Sequence, residues 1–233
     1  GSFKLRGATN KLLSLDDNQK KMGVIAVSTG NHGKGVAYAS KQLNIQSTIF
    51  MSSMVPDHRR KAIESLGAKV EIVGTNSDEA DLYAREYSKK NNIPLIHPFD
   101  DPMVIAGQGT IGLEMLESLP EVDTVIIPTS GGGLIGGIAL AIKLQKPDVK
   151  IIAASMKRGP SMYESLKAGK PVDVEEEETL ADCLGGSIGL DNEYTFKIAQ
   201  DTIDDFVLID EDKIAEGIKL NFEKHKLVTE GAA

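Results

Sequence analysis

Among its 233 residues the chain has one cysteine, Cys183. That scarcity excludes an internal disulfide framework and a cysteine-rich metal cage, and it fits a reducing, cytoplasmic setting. Long apolar runs are missing too. None approaches the roughly 18 residues of a membrane-crossing helix, and the opening Gly1-Ser2-Phe3-Lys4-Leu5-Arg6 has no apolar signal core. Positive charge is scarce, with 26 lysines and arginines against 34 acids and a net charge of -8. Neither a nucleic acid nor an anionic membrane surface is therefore the expected partner; small molecules and other subunits are. No internal repeat is visible, and the one biased tract is the four glutamates at 175–178. Like charges in a row repel and stay in water, which predicts a solvated loop.

What is present is a regular alternation. Short β-branched runs at 24–27, 47–50, 70–73, 124–127, 150–153 and 206–209 alternate with helical stretches long enough to cross over. This predicts an α/β fold with mostly parallel strands. Helices are expected over 33–43 and 210–226. The punctuated stretches Asn91-Asn92-Ile93-Pro94 and His97-Pro98-Phe99-Asp100-Asp101-Pro102 suggest a change of lobe near residue 100.

Several strands end in small polar residues that lead into a helix, and open parallel sheets bind ligands at those carboxyl ends. The run Gly131-Gly132-Gly133-Leu134-Ile135-Gly136 follows a strand and opens a helix. Its successive N–H groups and the helix dipole suit a phosphate. The run also satisfies G-x-G-x-x-G, so a nucleotide-binding oxidoreductase is one alternative. The acid expected about 20 positions on to hold a ribose is missing, since Ala154-Ser155-Met156 stands there. The second segment, Ser28-Thr29-Gly30-Asn31-His32-Gly33, offers hydroxyls, an amide, an imidazole and a helix start; a carboxylate nest and an ordinary capped turn are both open readings. In the third, Lys4 sits between Phe3 and Leu5 ahead of an amphipathic helix. Partial desolvation there would lower its amine pKa toward nucleophilic use, whereas a plain surface lysine is the simpler alternative.

Taken in order, S-F-K-x-R-G-A, S-x-G-N-H-G and the glycine run resemble the fold type II (tryptophan synthase β-like) pyridoxal-phosphate enzymes, specifically the threonine dehydratase and serine racemase family. His97-Pro98, the run 104–110, Leu180-Ala181-Asp182 and Glu230-Gly231 extend the resemblance along the chain. It implies two open parallel-sheet lobes with pyridoxal 5'-phosphate between them. The smaller, substrate-loop lobe is 23–101; the larger, cofactor-binding lobe is 1–22 with 102–233. The resemblance makes Lys4 the lysine that carries the cofactor, with Phe3 flanking the ring and Asn31 on the ring's 3-oxygen. Gly131, Gly132, Gly133 and Leu134 wrap the phosphate, and Ser130, Cys183 and Glu230 also bind the cofactor. Ser28, Thr29, Gly30, Asn31 and His32 hold the substrate carboxylate. The implied activity is elimination of the β-hydroxyl of an amino acid by a dimeric or larger homo-oligomeric enzyme; racemisation of serine is the alternative.

Some residues depart from the family pattern. Thr29 stands where racemases carry a second serine. Ser155, Gly159 and Ser161 occupy positions that bear carboxylates and a backbone ligand in metal-binding relatives, and Lys157 and Arg158 lie beside them, so no metal is expected. Cys183 and Gly186 depart as well, and the stretch 182–192, with Met156-Lys157-Arg158-Gly159, is similar to the threonine-dehydratase-like enzymes of ectoine and hydroxyectoine utilisation. Relative to the family the chain is short at both ends, starting inside the lysine motif and stopping inside the E-x-x-G-A motif.

Overall fold

The computed structural model describes the backbone of residues 1–233 and the side chains of all but Asp78. It divides into two compact units, residues 1–108 and 109–233. The lobes expected above group 1–22 with 102–233 instead, and that grouping returns below as a proposal.

The first unit opens with α1 (Lys4–Ser14) and α2 (Asp17–Met22), followed by β1 (Val24–Val27), α3 (Asn31–Gln42), β2 (Ser47–Met51), α4 (Asp57–Ser65), β3 (Lys69–Ile72) and α5 (Ser77–Asn91). The three strands form a parallel sheet in the order β1-β2-β3, and Leu95 adds a parallel bridge to Ile25 beyond β1. Parallel strands need cover on both faces, which explains why β1 and β2 read as nearly continuous apolar runs. On one face Val24, Ala26, Ile49 and Met51 pack with Leu12 of α1, Val36 of α3 and Ile63 of α4. On the other, Ile25 and Phe50 meet Ala84 and Tyr87 of α5. Asp16 caps α2 with a full capping box: its side chain accepts from Asn18 and Gln19 N–H, and Gln19 Oε1 accepts from Asp16 N–H.

The division falls within α6 (Pro102–Ser118). Beyond it lie β4 (Thr124–Pro128), α7 (Gly133–Lys143), β5 (Lys150–Met156), α8 (Ser161–Ala168), α9 (Thr195–Thr202), β6 (Asp205–Ile209) and α10 (Glu211–Leu220). These strands form a second parallel sheet, β4-β5-β6. Val125, Ile127, Ile151 and Ala153 pack against Ile135, Ile138 and Ile142 of α7. α6 and α7 approach closely: a Cβ on Gly109 or Gly112 would lie 3.0 Å from Gly137 O or 2.8 Å from Ile138 O.

Three expectations change in detail. The helix expected from residue 33 begins at Asn31. Lys4 is the first residue of α1 rather than ahead of it. The last helix ends as α10 at Leu220 and continues as a π-turn over Asn221–His225, closed by Lys226 in the left-handed region at φ 57°. Residues 175–178 are exposed and irregular, as the charge run predicts.

Candidate active site

In the first unit the site grows from the contact of α1 with α3. Gly35 makes that contact possible, because a Cβ there would lie 3.3 Å from Lys4 C and Leu5 N. Lys4 is half-buried; its Nζ donates to Pro98 O at 2.6 Å and sits 5.5 Å from the centre of the Phe3 ring. The loop between β1 and α3 carries Ser28, Thr29 and Gly30. Ser28 Oγ accepts from Gly30 N–H at 3.2 Å, and Gly30 caps the helix that Asn31 and His32 begin. The first turn of α3 holds no acid, and a Cβ on Gly30 would meet nothing within 4 Å. The helix start thus offers the positive end of its dipole with no competing acid, as an anion nest requires. Gly33 is needed for close approach, since a Cβ there would come 2.7 Å from Ser28 O.

His32 faces inward. It is 4% exposed, and its Nε2 lies 2.8 Å from Ile96 O. Burial first, then the charge of Lys4, pushes its pKa down to about 3, so the ring is neutral. His97 is also held below its ordinary value, chiefly by burial; its Nδ1 accepts from the N–H groups of Asp100 at 2.7 Å and Phe99 at 3.3 Å. Pattern reading missed Gln108, buried with both amide atoms unpartnered and packed beside Gly7. The tract 104–110 was the only hint of it.

In the second unit the glycine run leaves β4 through Thr129, whose N–H donates to Ala154 O at 2.7 Å. Gly132 is the cap of α7 at φ 88°. A Cβ on it would lie 2.8 Å from both Thr195 Cβ and Met162 Cε. Gly133 and Leu134 form the first turn, also without an acid, and Ser130 and Gly131 precede the cap. Thr195 and Met162, which back this cradle, were not foreseen. The available signal was Asn192: it donates to Thr195 Oγ1 and accepts from Phe196 N–H, so it fixes the start of α9.

At the carboxyl end of β5, Met156 packs with Ala181 and Ala232. Cys183 Sγ donates to Glu230 Oε2 at 3.2 Å, which brings those two expected residues together. Desolvation, then Glu230, pushes the Cys183 thiol up to about 12. Ser155 is buried and Ser161 Oγ donates to Gly186 O at 2.9 Å, while Lys157 pairs with Asp210. Among the described residues, no three histidine, cysteine or acidic side chains are placed to hold a metal ion.

These features define a chain with an amine beside one anion nest and a glycine cradle at the end of a parallel sheet. Over residues 1–233 it matches the model of the pyridoxal-phosphate dependent enzymes, and the chain belongs to that family. It is 46% identical over 232 residues to a putative threonine dehydratase of Sinorhizobium fredii, covering all of this chain and 70% of that protein. The processed threonine deaminase isoform 2 of Solanum lycopersicum superposes with a TM-score of 0.94 at 40% identity, covering 99% of this chain and 67% of that one. Maize serine racemase superposes at 0.93 with 34% identity, covering 100% and 70%. The chain spans between 57% and 70% of the length of the curated relatives it matches.

Its cofactor is pyridoxal 5'-phosphate, and the residues present fit that group. The cradle at Gly132 has no room for a Cβ, and α7 opens with N–H groups and no competing acid. Membership of this family sets aside the nucleotide-binding oxidoreductase. No helix is long and apolar enough to cross a membrane.

Proposed function

We propose that the protein is a dehydratase, or ammonia-lyase, that eliminates the β-hydroxyl of a hydroxy amino acid and yields a 2-oxo acid and ammonia. The observation that carries this reading is the pairing, in one unit, of the Lys4 amine on α1 with the helix-start nest of residues 28–32 on α3, two helices packed against each other. The 41–46% identity to relatives named threonine dehydratases supports it.

Lys4 would carry the cofactor, with Phe3 beside its ring and Asn31 at the ring's oxygen. Residues 131–134 would hold its phosphate, with Ser130, Cys183 and Glu230 alongside. When bound, the cofactor supplies an electron sink for the substrate's Cα. The nest at Ser28, Thr29, Gly30, Asn31 and His32 binds the substrate carboxylate and so fixes which Cα bond is broken. Freed by the substrate amine, Lys4 Nζ takes the Cα proton. Hydroxide leaves Cβ, and the released enamine hydrolyses in water.

The lobe of 23–101 then brings the substrate loop, and 1–22 with 102–233 form the cofactor-binding lobe. Cytoplasmic location and homo-oligomeric assembly belong to the same reading. The resemblance of 182–192 adds a ring-opened hydroxyectoine product to the substrates worth testing beside threonine, serine and hydroxyaspartate.

The test is a panel of these amino acids with the full-length protein, read by 2-oxo-acid and ammonia release. Turnover of at least one hydroxy amino acid is expected. A protein that binds cofactor but releases neither product from any of them is not a dehydratase. Serine racemisation is the second reading, favoured by the close superposition on maize serine racemase.

A further inference from the structure

The imidazole of His32 has one nitrogen assigned and one idle. A carbonyl oxygen can only accept, so Nε2, at 2.8 Å from Ile96 O, must carry the proton. That leaves Nδ1 as a bare lone pair, and this atom is buried without a partner. An unpaired acceptor in the interior costs on the order of a lost hydrogen bond, so it should meet a donor at some stage of the protein's work.

Three observations point to the same donor. His32 precedes Gly35 by one turn of α3, and Gly35 lies against the backbone of Lys4. The Lys4 ammonium and His32 grip carbonyls two residues apart, Pro98 O and Ile96 O, on one short run of chain. The charge of Lys4 also acts on His32 through space, and His97 is its other titratable neighbour. Asp100, Arg85 and Asp81 act on His97 in turn.

We propose that Nδ1 of His32 is the hydrogen-bond acceptor for the Lys4 ammonium, making His32 a positioning residue that holds Lys4 Nζ in its proton-bearing state. This rests on the reading of Lys4 as the cofactor lysine and deepens it. His32 transfers no proton itself; it steers the amine that does.

Two variants separate this role from simple anchoring. His32→Gln keeps an amide donor for Ile96 O but removes the Nδ1 acceptor, whereas His32→Asn places an acceptor near Nδ1 and gives up the anchor. The measurement is the titration of the Lys4 amine in the full-length protein stripped of cofactor, by competitive acetylation and peptide mass spectrometry. His32→Gln should lower the Lys4 titration midpoint by about half a pH unit or more, because the charged form loses a partner. His32→Asn should leave it near wild type. Identical midpoints in all three proteins, or a shift only in His32→Asn, overturn the proposal. If His32→Gln does not fold, the 15N resonance of Nδ1 decides: it should move between wild type and Lys4→Met, and a stationary resonance overturns the proposal. An error in the Lys4 reading would show separately, as borohydride-fixed cofactor on another lysine.

Discussion

Lys4 and His32 show how much a single residue owes to its surroundings. A lysine in the first turn of a helix is ordinarily solvated; here Phe3 screens it and Pro98 O holds it. Lys4→Ala should therefore abolish covalent capture of the cofactor while the protein still folds. Borohydride reduction with peptide mapping checks this, and label on any other lysine contradicts the assignment.

His32 makes a different prediction, in stability. Its folded pKa of about 3 lies below the unfolded value of 6.5, so the unfolded chain binds more protons between those values. The stability contributed by the neutral ring is complete above about pH 6.5 and is lost as pH falls toward about 3. The loss at pH 5 is about 2 kcal/mol relative to neutral pH. His32→Gln should flatten this part of the profile of denaturation midpoint against pH. An unchanged slope would mean that His32 is not the group responsible.

At the scale of elements, glycines set the closest approaches. α1 and α6 cross backbone to backbone: a Cβ on Gly7 would lie 2.3 Å from Gln108 Nε2 and 2.8 Å from Val104 O, and one on Gly107 would lie 2.6 Å from Gly7 Cα. The backbone oxygen cannot step aside as a side chain could, so Gly7→Ala should destabilise by about 1–3 kcal/mol. A Tm equal to wild type would contradict the close crossing. Gly132 is constrained twice, by φ 88° and by Thr195 and Met162 behind it. Gly132→Val should weaken cofactor affinity strongly, and it should also lower the stability of the cofactor-free protein, because a β-branched residue is strained at that φ. Fluorescence titration and thermal melting read the two effects separately. Wild-type affinity would reduce the glycine run to a turn.

The elements also mark what the sequence makes legible. All six strands appear where β-branched runs stand, because β-branched side chains favour extended backbone. Helix starts were harder. Phe3 makes no capping bond, so nothing in the residues announced that α1 begins at Lys4. Asp16 announces α2 plainly, through Gln19 three positions on. In the site, residues 28–33 and 131–134 stood out because anion nests need glycine and small polar residues. The partners of Lys4 and His32 did not, because they are the backbone carbonyls of Pro98 and Ile96, and a carbonyl has no residue-type signature.

For the whole molecule the question is which of two outcomes follows removal of the Cα proton. Racemisation needs a proton donor on the face of the substrate opposite Lys4; elimination needs only that hydroxide leave Cβ first. Thr29 stands where racemising relatives carry a serine, and its extra methyl both fills space and restricts the hydroxyl's rotamers. It is half-buried two residues beyond the end of β1. Elimination should therefore outrun reprotonation. With L-serine in deuterated water, pyruvate should form much faster than D-serine, as chiral analysis will show; D-serine accumulating at a comparable rate would reverse the order and favour the racemase reading. Thr29→Ser should raise the share of D-serine without lowering cofactor affinity, because the glycine run proposed to hold the phosphate, 131–134, lies elsewhere in the chain. The same incubation with a chelator tests the loop at 155–161. Ser155 is buried, Ser161 is bonded to Gly186 O, and Lys157 stands in an ion pair with Asp210. A divalent cation there would meet two hydroxyls and a lysine that already engages the neighbouring carboxylate, so activity should survive chelation. Activity that collapses with chelator and returns with magnesium or calcium would show that the ion is bound by other groups.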